Sequence, residues 1–286
     1  MVKGMLGPIM KEEIVKKVVR ESYAQIAQAG GSCCLPATSC CGGVDMAAEI
    51  SKKIGYADKD LNSVPEGANL GLGCGNPLAL ASLKEGETVL DLGAGAGFDC
   101  FLAANQVGKT GKVIGVDMTP EMVQKARENA GKGGYGNVEF RLGEIENLPV
   151  ADQVVDAVIS NCVINLAPDK GKVFREAFRV LKRGGRLMVS DIVLRRPLPD
   201  FIMNSIAAYV GCMSGAVMRD EYLRVIEQAG FRDVRIMEES LFPIDCMAND
   251  PTGQAIVAHL DMTPEKIMEV VEGTIASIKV HAVKPE

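Results

Sequence analysis

Hydrophobic positions follow two spacings along this chain, one typical of helices and the other of buried strands. In the middle of the chain, short apolar runs alternate with longer amphipathic runs, and this order predicts βαβ units around a parallel sheet. The predicted strands cover residues 88–91, 112–117, 137–142, 154–160 and 185–194. The predicted helices that connect them cover residues 97–107, 120–131 and 169–181. The pattern therefore predicts an α/β fold.

Further elements flank this central region on both sides. Apolar side chains at helical spacing over residues 11–28 predict an amphipathic helix that ends at Gly30. Residues 30–45 are Gly-rich and interrupted by Pro36, so we expect a loop there, and another at Leu70–Asn76, where every second residue is glycine. The remaining predictions are a helical region at about 200–229, strands near 232–238 and 275–283, and a helix start at Thr263-Pro264-Glu265.

Composition and charge narrow the classes of function. The chain has a net charge of -6, a pI near 5.2 and no basic run, which argues against a nucleic-acid partner. It has neither an apolar leader nor 18 consecutive apolar residues, so we expect no membrane partner and a soluble, cytoplasmic protein. Its nine cysteines are expected to be thiols, ligands or core residues rather than a disulfide framework. With two histidines, it favours a mechanism that needs little proton transfer.

A glycine-rich loop follows the first predicted strand, in the sequence Asp91-Leu92-Gly93-Ala94-Gly95-Ala96-Gly97. Nucleotide-binding folds of several kinds place such a loop between a strand and a helix. The dinucleotide pattern requires a third glycine three residues after the second, but that position is Phe98. No Walker lysine follows the last glycine either. The even spacing of the three glycines therefore favours S-adenosylmethionine over NAD or a phosphate donor.

Residues at the ends of the predicted strands are candidates for binding this cofactor. Asp117 ends the second strand, where its carboxylate can accept both ribose hydroxyl hydrogens, although an acid that caps a helix has the same pattern. Met118 would then cover one face of the adenine. Glu144 can accept the adenine amino group or remain a solvated acid, and Asn161 would help to fix the donor near its amino group. The full predicted set is Asp91, Gly93, Gly95, Gly97, Asp117, Met118, Glu144, Ile145 and Asn161.

Three cysteines lie at points where this fold brings a substrate to the donor. Cys162 follows the fourth strand, Cys212 follows the fifth strand and a helix, and Cys74 lies in the glycine-rich loop before the first strand. Ligands of an open α/β sheet bind outside the carboxyl ends of its strands, so the three thiols can converge there. A single free cysteine is commonly a buried small hydrophobe, which is the alternative for each of them. Together they suit a soft centre such as arsenic(III), whose lone pair stays free when three thiolates bind it.

The remaining cysteines carry weaker signals. Cys33-Cys34 and Cys40-Cys41 lack the C-x2-C spacing of zinc sites, which leaves a structural zinc, accessory capture of a thiophilic ion, or a loop of unligated thiols. Cys100, just after the glycine loop, is expected to pack in the core. Cys246 has no pattern that predicts a role.

Five stretches of the sequence carry a family resemblance when they are read together. They are Leu70–Pro77, Asp91–Cys100, Gly115–Pro120, Ser160–Leu166 and Leu181–Gly185. With these stretches, the chain resembles the arsenite S-adenosylmethionine methyltransferase family. The stretch from Ser160 to Leu166 is the most specific, whereas the glycine loop and Leu181–Gly185 are shared with many methyltransferases. The resemblance covers nearly everything from residue 20 to the terminal Ile278–Pro285.

The resemblance implies a Rossmann-like class I methyltransferase fold. Its sheet would have seven mostly parallel strands that end in an antiparallel hairpin, with an N-terminal helix and lid and a helical C-terminal insertion. It also implies that Cys74, Cys162 and Cys212 hold arsenic(III) and are the catalytic residues. The family has an N-terminal cysteine of accessory role, for which Cys33, Cys34, Cys40 and Cys41 compete, with Cys40 or Cys41 favoured.

We divide the chain into three parts around one main core, for which 286 residues are enough. Residues 1–85 hold the N-terminal helix, the cysteine-rich loop and the lid. Residues 86–242 form the S-adenosylmethionine-binding core. Residues 243–286 hold the helical insertion and the final strand that completes the sheet.

The expected reaction transfers the methyl group of S-adenosylmethionine to trivalent arsenic, supplied as arsenite or a thiol conjugate and held by three cysteine thiolates. The products are methylarsenicals and S-adenosylhomocysteine, and a thiol reductant is the expected partner besides the substrate. Two alternatives remain open. One is a carbon or oxygen methyltransferase that acts on a small organic acceptor, and the other is a thiol-rich protein that binds metalloid without turnover.

Overall fold

A computed structural model of the chain describes residues 8–28, 46–77, 82–203, 205–241 and 273–286. The predicted cysteine-rich loop, the helix start at Thr263 and nearly all of the predicted insertion lie outside the described residues. The same is true of Cys33, Cys34, Cys40, Cys41 and Cys246. Among the described helices, none is long and apolar enough to cross a membrane.

A seven-stranded sheet forms the centre of the fold, with the strand order β3-β2-β1-β4-β5-β7-β6. The strands are β1 Thr88–Leu92, β2 Lys112–Asp117, β3 Val138–Leu142, β4 Val155–Asn161, β5 Leu181–Leu194, β6 Arg232–Leu241 and β7 Ile275–Val283. Strands β1 to β5 pair in parallel, and β7 is antiparallel to both β5 and β6. The predicted α/β fold with an antiparallel final hairpin is therefore confirmed.

Two strands have bounds that differ from the sequence pattern. β5 begins at Leu181 rather than at 185, because Leu181 is already extended and pairs with Val155 before the register shifts. β6 continues to Leu241 because its pairing with β7 extends that far. In both cases the pairing with a neighbouring strand, rather than the local apolar pattern, sets the boundary of the strand.

Helices pack on both sides of the sheet. Val89 and Leu90 are neighbours in β1 but belong to two different hydrophobic clusters, as expected for residues that point to opposite faces. The described helices are Pro8–Gln28, Met46–Lys53, Asp58–Leu61, Phe98–Val107, Pro120–Gly133, Lys170–Val180, Asp200–Met203, Ile206–Val210 and Arg219–Gln228, with a 3-10 turn at Ile164–Leu166. The predicted helical region at 200–229 is thus three short helices.

Local sequence explains where two of the long helices begin. Thr119 is extended and Pro120 occupies the first helical position, where its missing N–H costs nothing. Asp169 precedes the next helix, and its side chain accepts a hydrogen bond from the Lys172 backbone N–H at 2.9 Å. These capped starts fix the loops that leave the carboxyl ends of β2 and β4, which is the edge where ligands of an open sheet bind.

Candidate active site

The glycine loop joins the carboxyl end of β1 to the helix Phe98–Val107. Gly93, Gly95 and Gly97 have φ values of 71°, 52° and 96°, a region that favours glycine. A Cβ at Gly93 would lie 2.6 Å from Val163 Cβ, and one at Gly97 would lie 2.8 Å from two phenyl rings. A Cβ at Gly95 would instead meet nothing within 4 Å. The backbone at Gly95 therefore faces open space, whereas the other two glycines allow close packing.

Three aspartates near this loop are buried or nearly so. Asp91 accepts a hydrogen bond from Cys100 Sγ at 3.2 Å, and Asp117 accepts from the backbone N–H groups of Gly95 and Thr119 at 3.0 and 2.8 Å. Burial, reinforced by the Asp99 carboxylate, raises the pKa of Asp91 well above its usual value. Burial also raises the pKa of Asp117, and it raises the pKa of Asp99 to about 6. Such crowded carboxyl groups favour a positively charged ligand.

Asn161 and Tyr56 connect these carboxylates to the loop that carries Cys74. The Tyr56 hydroxyl donates to Asp99 Oδ1 at 2.6 Å. Asn161 Nδ2, which has two hydrogens, lies within hydrogen-bonding distance of three acceptors, namely Asp99 Oδ2 at 3.1 Å, the Tyr56 hydroxyl at 2.9 Å and the Gly75 carbonyl at 2.8 Å. Asn161 Oδ1 accepts from the Cys74 N–H at 3.1 Å. One side chain at the end of β4 therefore contacts the acidic network and a predicted substrate ligand.

A cavity lies over the glycine loop and contains most of the predicted cofactor residues. It is lined by Asp91, Gly93, Gly95, Asp117, Met118, Glu144, Ile145 and Asn161, and Gly97 is the one member of the predicted set outside this lining. The N-terminal helix closes one side, because Lys16 Nζ lies 2.7 Å from Glu144 Oε2 and also pairs with Glu146. Arg20 lies 3.5 Å from the other Glu144 oxygen. The adenine contact of Glu144 stays a prediction.

The three predicted thiol ligands lie together in one buried apolar cluster. Cys74, Cys162 and Cys212 are 3%, 9% and 4% exposed. Cys74 Sγ and Cys162 Sγ lie within 4.8 Å of each other, and Cys212 Sγ donates to the Cys162 carbonyl oxygen at 3.0 Å. Cys162 also lines the donor cavity. The structure thus brings the three thiols together with Cys162 in the middle, while their role as arsenic ligands stays a prediction.

Two of these cysteines have strained backbone. Cys162 and Cys212 have φ values of 58° and 63°. A residue with a Cβ in this region costs roughly 1–3 kcal/mol, and such residues cluster at functional sites. The Cys162 N–H donates to the Ser190 carbonyl and the Cys212 N–H donates to the Tyr209 carbonyl, both at 2.9 Å. These backbone contacts hold both thiols in place.

Burial keeps the thiols protonated when no ligand is bound. It is the main cause that raises the pKa of Cys74. The pKa of Cys212 is raised well above its usual value by the hydrogen bond with Cys162 and by burial. At Cys162, the interaction with the Cys212 thiol lowers the pKa. The interaction with the Cys74 thiol and burial outweigh it, so the pKa of Cys162 is raised well above its usual value. All three are free thiols.

The last strand and β5 fix the loop that carries Cys74. The Ser277 hydroxyl, in β7, donates to the Cys74 carbonyl at 2.7 Å. Cys74 Sγ lies 3.5 Å from the Ser190 carbonyl oxygen. A Cβ at Gly75 would collide with the Ser190 side chain, so only glycine permits this close approach. The antiparallel end of the sheet therefore helps to position one of the thiols.

A buried carboxyl group lies beside the thiols. Asp191, in β5, is fully buried, and one of its oxygens lies within 4.8 Å of Cys74 Sγ and Cys162 Sγ. Burial raises the pKa of Asp191 to about 6, although hydrogen bonds from the Ile192 N–H and the Tyr222 hydroxyl oppose the shift. The thiol cluster is therefore apolar on most sides and acidic on one.

The chain is similar to known methyltransferases in both sequence and structure. Residues 83–230 match a family model described as a methyltransferase domain. An arsenite methyltransferase of Halobacterium salinarum is 49% identical over 255 residues, which are 86% of this chain and 65% of that protein. An arsenic(III) S-adenosylmethionine methyltransferase from Chlamydomonas reinhardtii has a similar structure, with a TM-score of 0.62 and 33% identity over 84% of this chain and 74% of that one. The chain belongs to the arsenite methyltransferase family.

Members of the arsenite methyltransferase family from distant organisms match over most of this chain. The human arsenite methyltransferase is 34% identical over 82% of this chain and 63% of its own length. The chain spans just under two thirds of the length of the curated relatives it matches. The similarity therefore covers the described core, whereas each of these relatives has further residues.

Several site residues of this family member have no obvious sequence signal. Tyr56 and Asp191 lie outside any motif, and Lys16 looks like an ordinary charge on an amphipathic helix. Asp99 follows the glycine loop in the first turn of its helix, where an acid suits the helix dipole, and that position is the one available signal. Cys100 is a core residue as predicted, but it also donates to Asp91.

Proposed function

We propose that this protein transfers the methyl group of S-adenosylmethionine to trivalent arsenic, taken as arsenite or as its thiol conjugate. The observation that carries the proposal is the wall shared by the donor cavity and the thiol cluster. Asn161 and Cys162 line the cavity, and Cys162 is also the middle member of the cluster. A substrate held by the thiols would therefore lie next to the donor.

The donor cavity contains groups that suit S-adenosylmethionine. When bound, this cofactor supplies an electrophilic methyl group on a positive sulfonium, and it also carries an ammonium group. Asp91 and Asp99 are buried carboxyl groups that would hold these positive charges. Asp117 would accept the ribose hydroxyl hydrogens, and Met118 would cover the adenine. The open space at Gly95 lets the backbone approach the methionine moiety.

The thiol cluster suits arsenic(III) without a separate base. Each thiol that replaces a hydroxyl group of arsenite loses its proton as that hydroxyl leaves as water, so the exchange is balanced. Three thiolates satisfy the soft arsenic(III) centre and leave its lone pair free for the methyl carbon. The buried, apolar surroundings of Cys74, Cys162 and Cys212 exclude water from this pair of reactants.

An external thiol is the proposed second partner. Methylation uses the arsenic lone pair in a new bond, so arsenic(III) formally loses two electrons. Thiols that pair to a disulfide supply two electrons and can return the product to the trivalent state. We therefore propose a small thiol reductant as co-substrate. The number of methyl groups transferred depends on how often this cycle repeats.

The test is to incubate the protein with S-adenosylmethionine, arsenite and excess thiol, and to separate the arsenic species by chromatography with elemental mass detection. We expect methylated arsenic from the wild type. In Cys162→Ser, turnover should fall by about 100-fold or more, because a displaced reactant alone costs that much. Donor binding, measured by calorimetry, should change little.

Cys100→Ser is the matched control, since Cys100 is also a buried free thiol but contacts Asp91 rather than the thiol cluster. It should weaken donor binding and leave arsenite binding intact. Full activity of a folded Cys162→Ser variant, checked by circular dichroism, would contradict thiol ligation at that position. Intact donor binding with no methylated arsenic in the wild type would instead point to an organic acceptor.

A further inference from the structure

The described thiol pair Cys74 and Cys162 has two different neighbours that can complete a three-donor site. On one side, Cys212 Sγ donates to the Cys162 carbonyl oxygen at 3.0 Å. On the other side, a carboxylate oxygen of Asp191 lies within 4.8 Å of both Cys74 Sγ and Cys162 Sγ, and all three residues are buried. The first set offers three sulfur atoms, and the second offers two sulfur atoms and one oxygen.

The Asp191 carboxylate is held in a fixed orientation. Its Oδ1 accepts from Asn165 Nδ2 and from the Ile192 N–H, both at 2.8 Å, and its Oδ2 accepts from the Tyr222 hydroxyl at 2.9 Å. A carboxylate has about four lone-pair positions, so these three donors leave one on Oδ2. Metal-binding carboxylates are typically oriented by hydrogen bonds of this kind. The hydrogen bonds around the Asp191 carboxylate therefore resemble those around a metal-binding carboxylate.

A nearby cation limits the charge that this site would carry. Lys170 is partly buried; burial lowers its pKa, and the charge of the Asp191 carboxylate opposes that shift by favouring the ammonium form. Two thiolates and one carboxylate around a divalent cation leave one net negative charge. The ammonium group of Lys170 would offset part of that charge.

We propose that a divalent thiophilic cation of the zinc and cadmium type binds Cys74, Cys162 and Asp191, and that it competes with arsenite for the two thiols. Zinc-type cations have no preferred geometry from d-electrons and accept both sulfur and oxygen ligands in a tetrahedral site. Arsenic(III) needs soft sulfur donors and keeps a lone pair on its open side. Each of the two thiols that binds the cation releases its proton to solvent. With Asp191, the substrate site can therefore bind divalent thiophilic cations as well as arsenite, and such cations would inhibit arsenite binding.

Cadmium is the probe for the test, because sulfur-to-cadmium charge transfer gives an ultraviolet absorption band. The chain would carry serine at the cysteines that lie outside the described residues, namely Cys33, Cys34, Cys40, Cys41 and Cys246. Cadmium is titrated into this reduced parent protein without methyl donor. We expect one cadmium per chain, displaced by arsenite. Asp191→Asn should weaken cadmium binding by about 10-fold or more and change arsenite affinity far less.

Asp156→Asn is the matched control, since Asp156 binds Lys182 and the Thr88 N–H away from the thiols. It should bind cadmium like the parent. Equal cadmium affinity in the parent and Asp191→Asn would overturn the proposal, and so would an equal loss of cadmium and arsenite binding. X-ray absorption at the cadmium edge counts sulfur and oxygen neighbours in the parent, so all-sulfur coordination would also overturn it even if Asp191→Asn failed to fold. Because no donor is present, failure of arsenic methylation leaves this result unaffected.

Discussion

The donor cavity and the thiol cluster share one wall but are built from different parts of the chain. Most of the donor site comes from the glycine loop and the ends of β1 to β4, which one continuous βαβ region supplies. The thiol cluster joins Cys74, Cys162 and Cys212 from three separate segments, and two of these residues have strained backbone. The donor side contains the buried carboxyl groups of Asp91 and Asp99, whereas the thiol side is mostly apolar.

We call the donor cavity and the thiol cluster the two halves of the site. Because they are built from different parts of the chain, substitutions can alter donor binding and arsenite binding independently. A donor site made mostly by one continuous region depends less on distant segments, although the N-terminal helix and Tyr56 also contact it. A thiol site assembled from distant segments depends on each contact that holds a segment in place. The two sites are in contact through Asn161 and Val163, because Asn161 contacts both sides and Val163 packs on Gly93. Substitutions at those contacts should affect both halves, and others should affect one.

The largest effect is expected from Gly93→Ala. The new Cβ would meet Val163, which follows Cys162, and Gly93 also has a φ of 71° that disfavours alanine. Displacing Cys162 relative to the donor by about 1 Å is enough to lower turnover by roughly 100-fold. We expect weaker binding of both the donor and arsenite, measured separately by calorimetry and by retained arsenic.

Gly95→Ala is the matched variant, because Gly95 has the same backbone preference but faces open space. Its added methyl group would enter the donor cavity only. Donor affinity should therefore fall while arsenite affinity stays the same. If Gly93→Ala also left arsenite binding unchanged, the contact with Val163 would not couple the two halves.

The sequence predicts most of the sheet and the position of the donor loop, because both depend on local pattern. Apolar runs and capped helix starts place β1 to β4 within one or two residues. The network of Tyr56, Asp99 and Asn161 could not be predicted, because Tyr56 and Asn161 are 105 positions apart and meet only when the sheet has formed. The proximity of Asp191 to two thiols has the same cause, since strand register places it there.

Asp99→Asn is expected to act on the donor side with a smaller effect. A hydrogen bond to a charged group is worth about 1.5 kcal/mol or more, so donor affinity should fall by about 10-fold near neutral pH. The wild type should also lose donor affinity as the pH falls through about 6, the pKa to which burial raises Asp99, because the protonated acid no longer attracts a cation. Calorimetry over a pH series measures both effects.

The variant should have a flatter pH profile than the wild type, and the difference between the two profiles isolates Asp99 from Asp91, Asp117 and Glu144. Asp60→Asn is the control, since Asp60 is only partly buried and its carboxylate accepts a hydrogen bond from the Ala57 N–H at the start of a short helix. Parallel profiles for wild type and Asp99→Asn would show that Asp99 does not contact the cation. Reduced arsenite binding in Asp99→Asn would show instead that Asn161 transmits the change to Cys74.

The smallest effect is expected from Ser277→Ala, which acts on the thiol side alone. The lost hydrogen bond from Ser277 to the Cys74 carbonyl is worth about 1 kcal/mol, so arsenite affinity should fall about fivefold. Ser51→Ala is the matched variant on the other side, because the Ser51 hydroxyl bonds to Asn69 in the wall of the donor cavity. It should weaken donor binding slightly and leave arsenite binding unchanged. Equal effects of both variants on both ligands would contradict the independence of the two halves. Such a result would indicate that donor binding and arsenite binding are coupled.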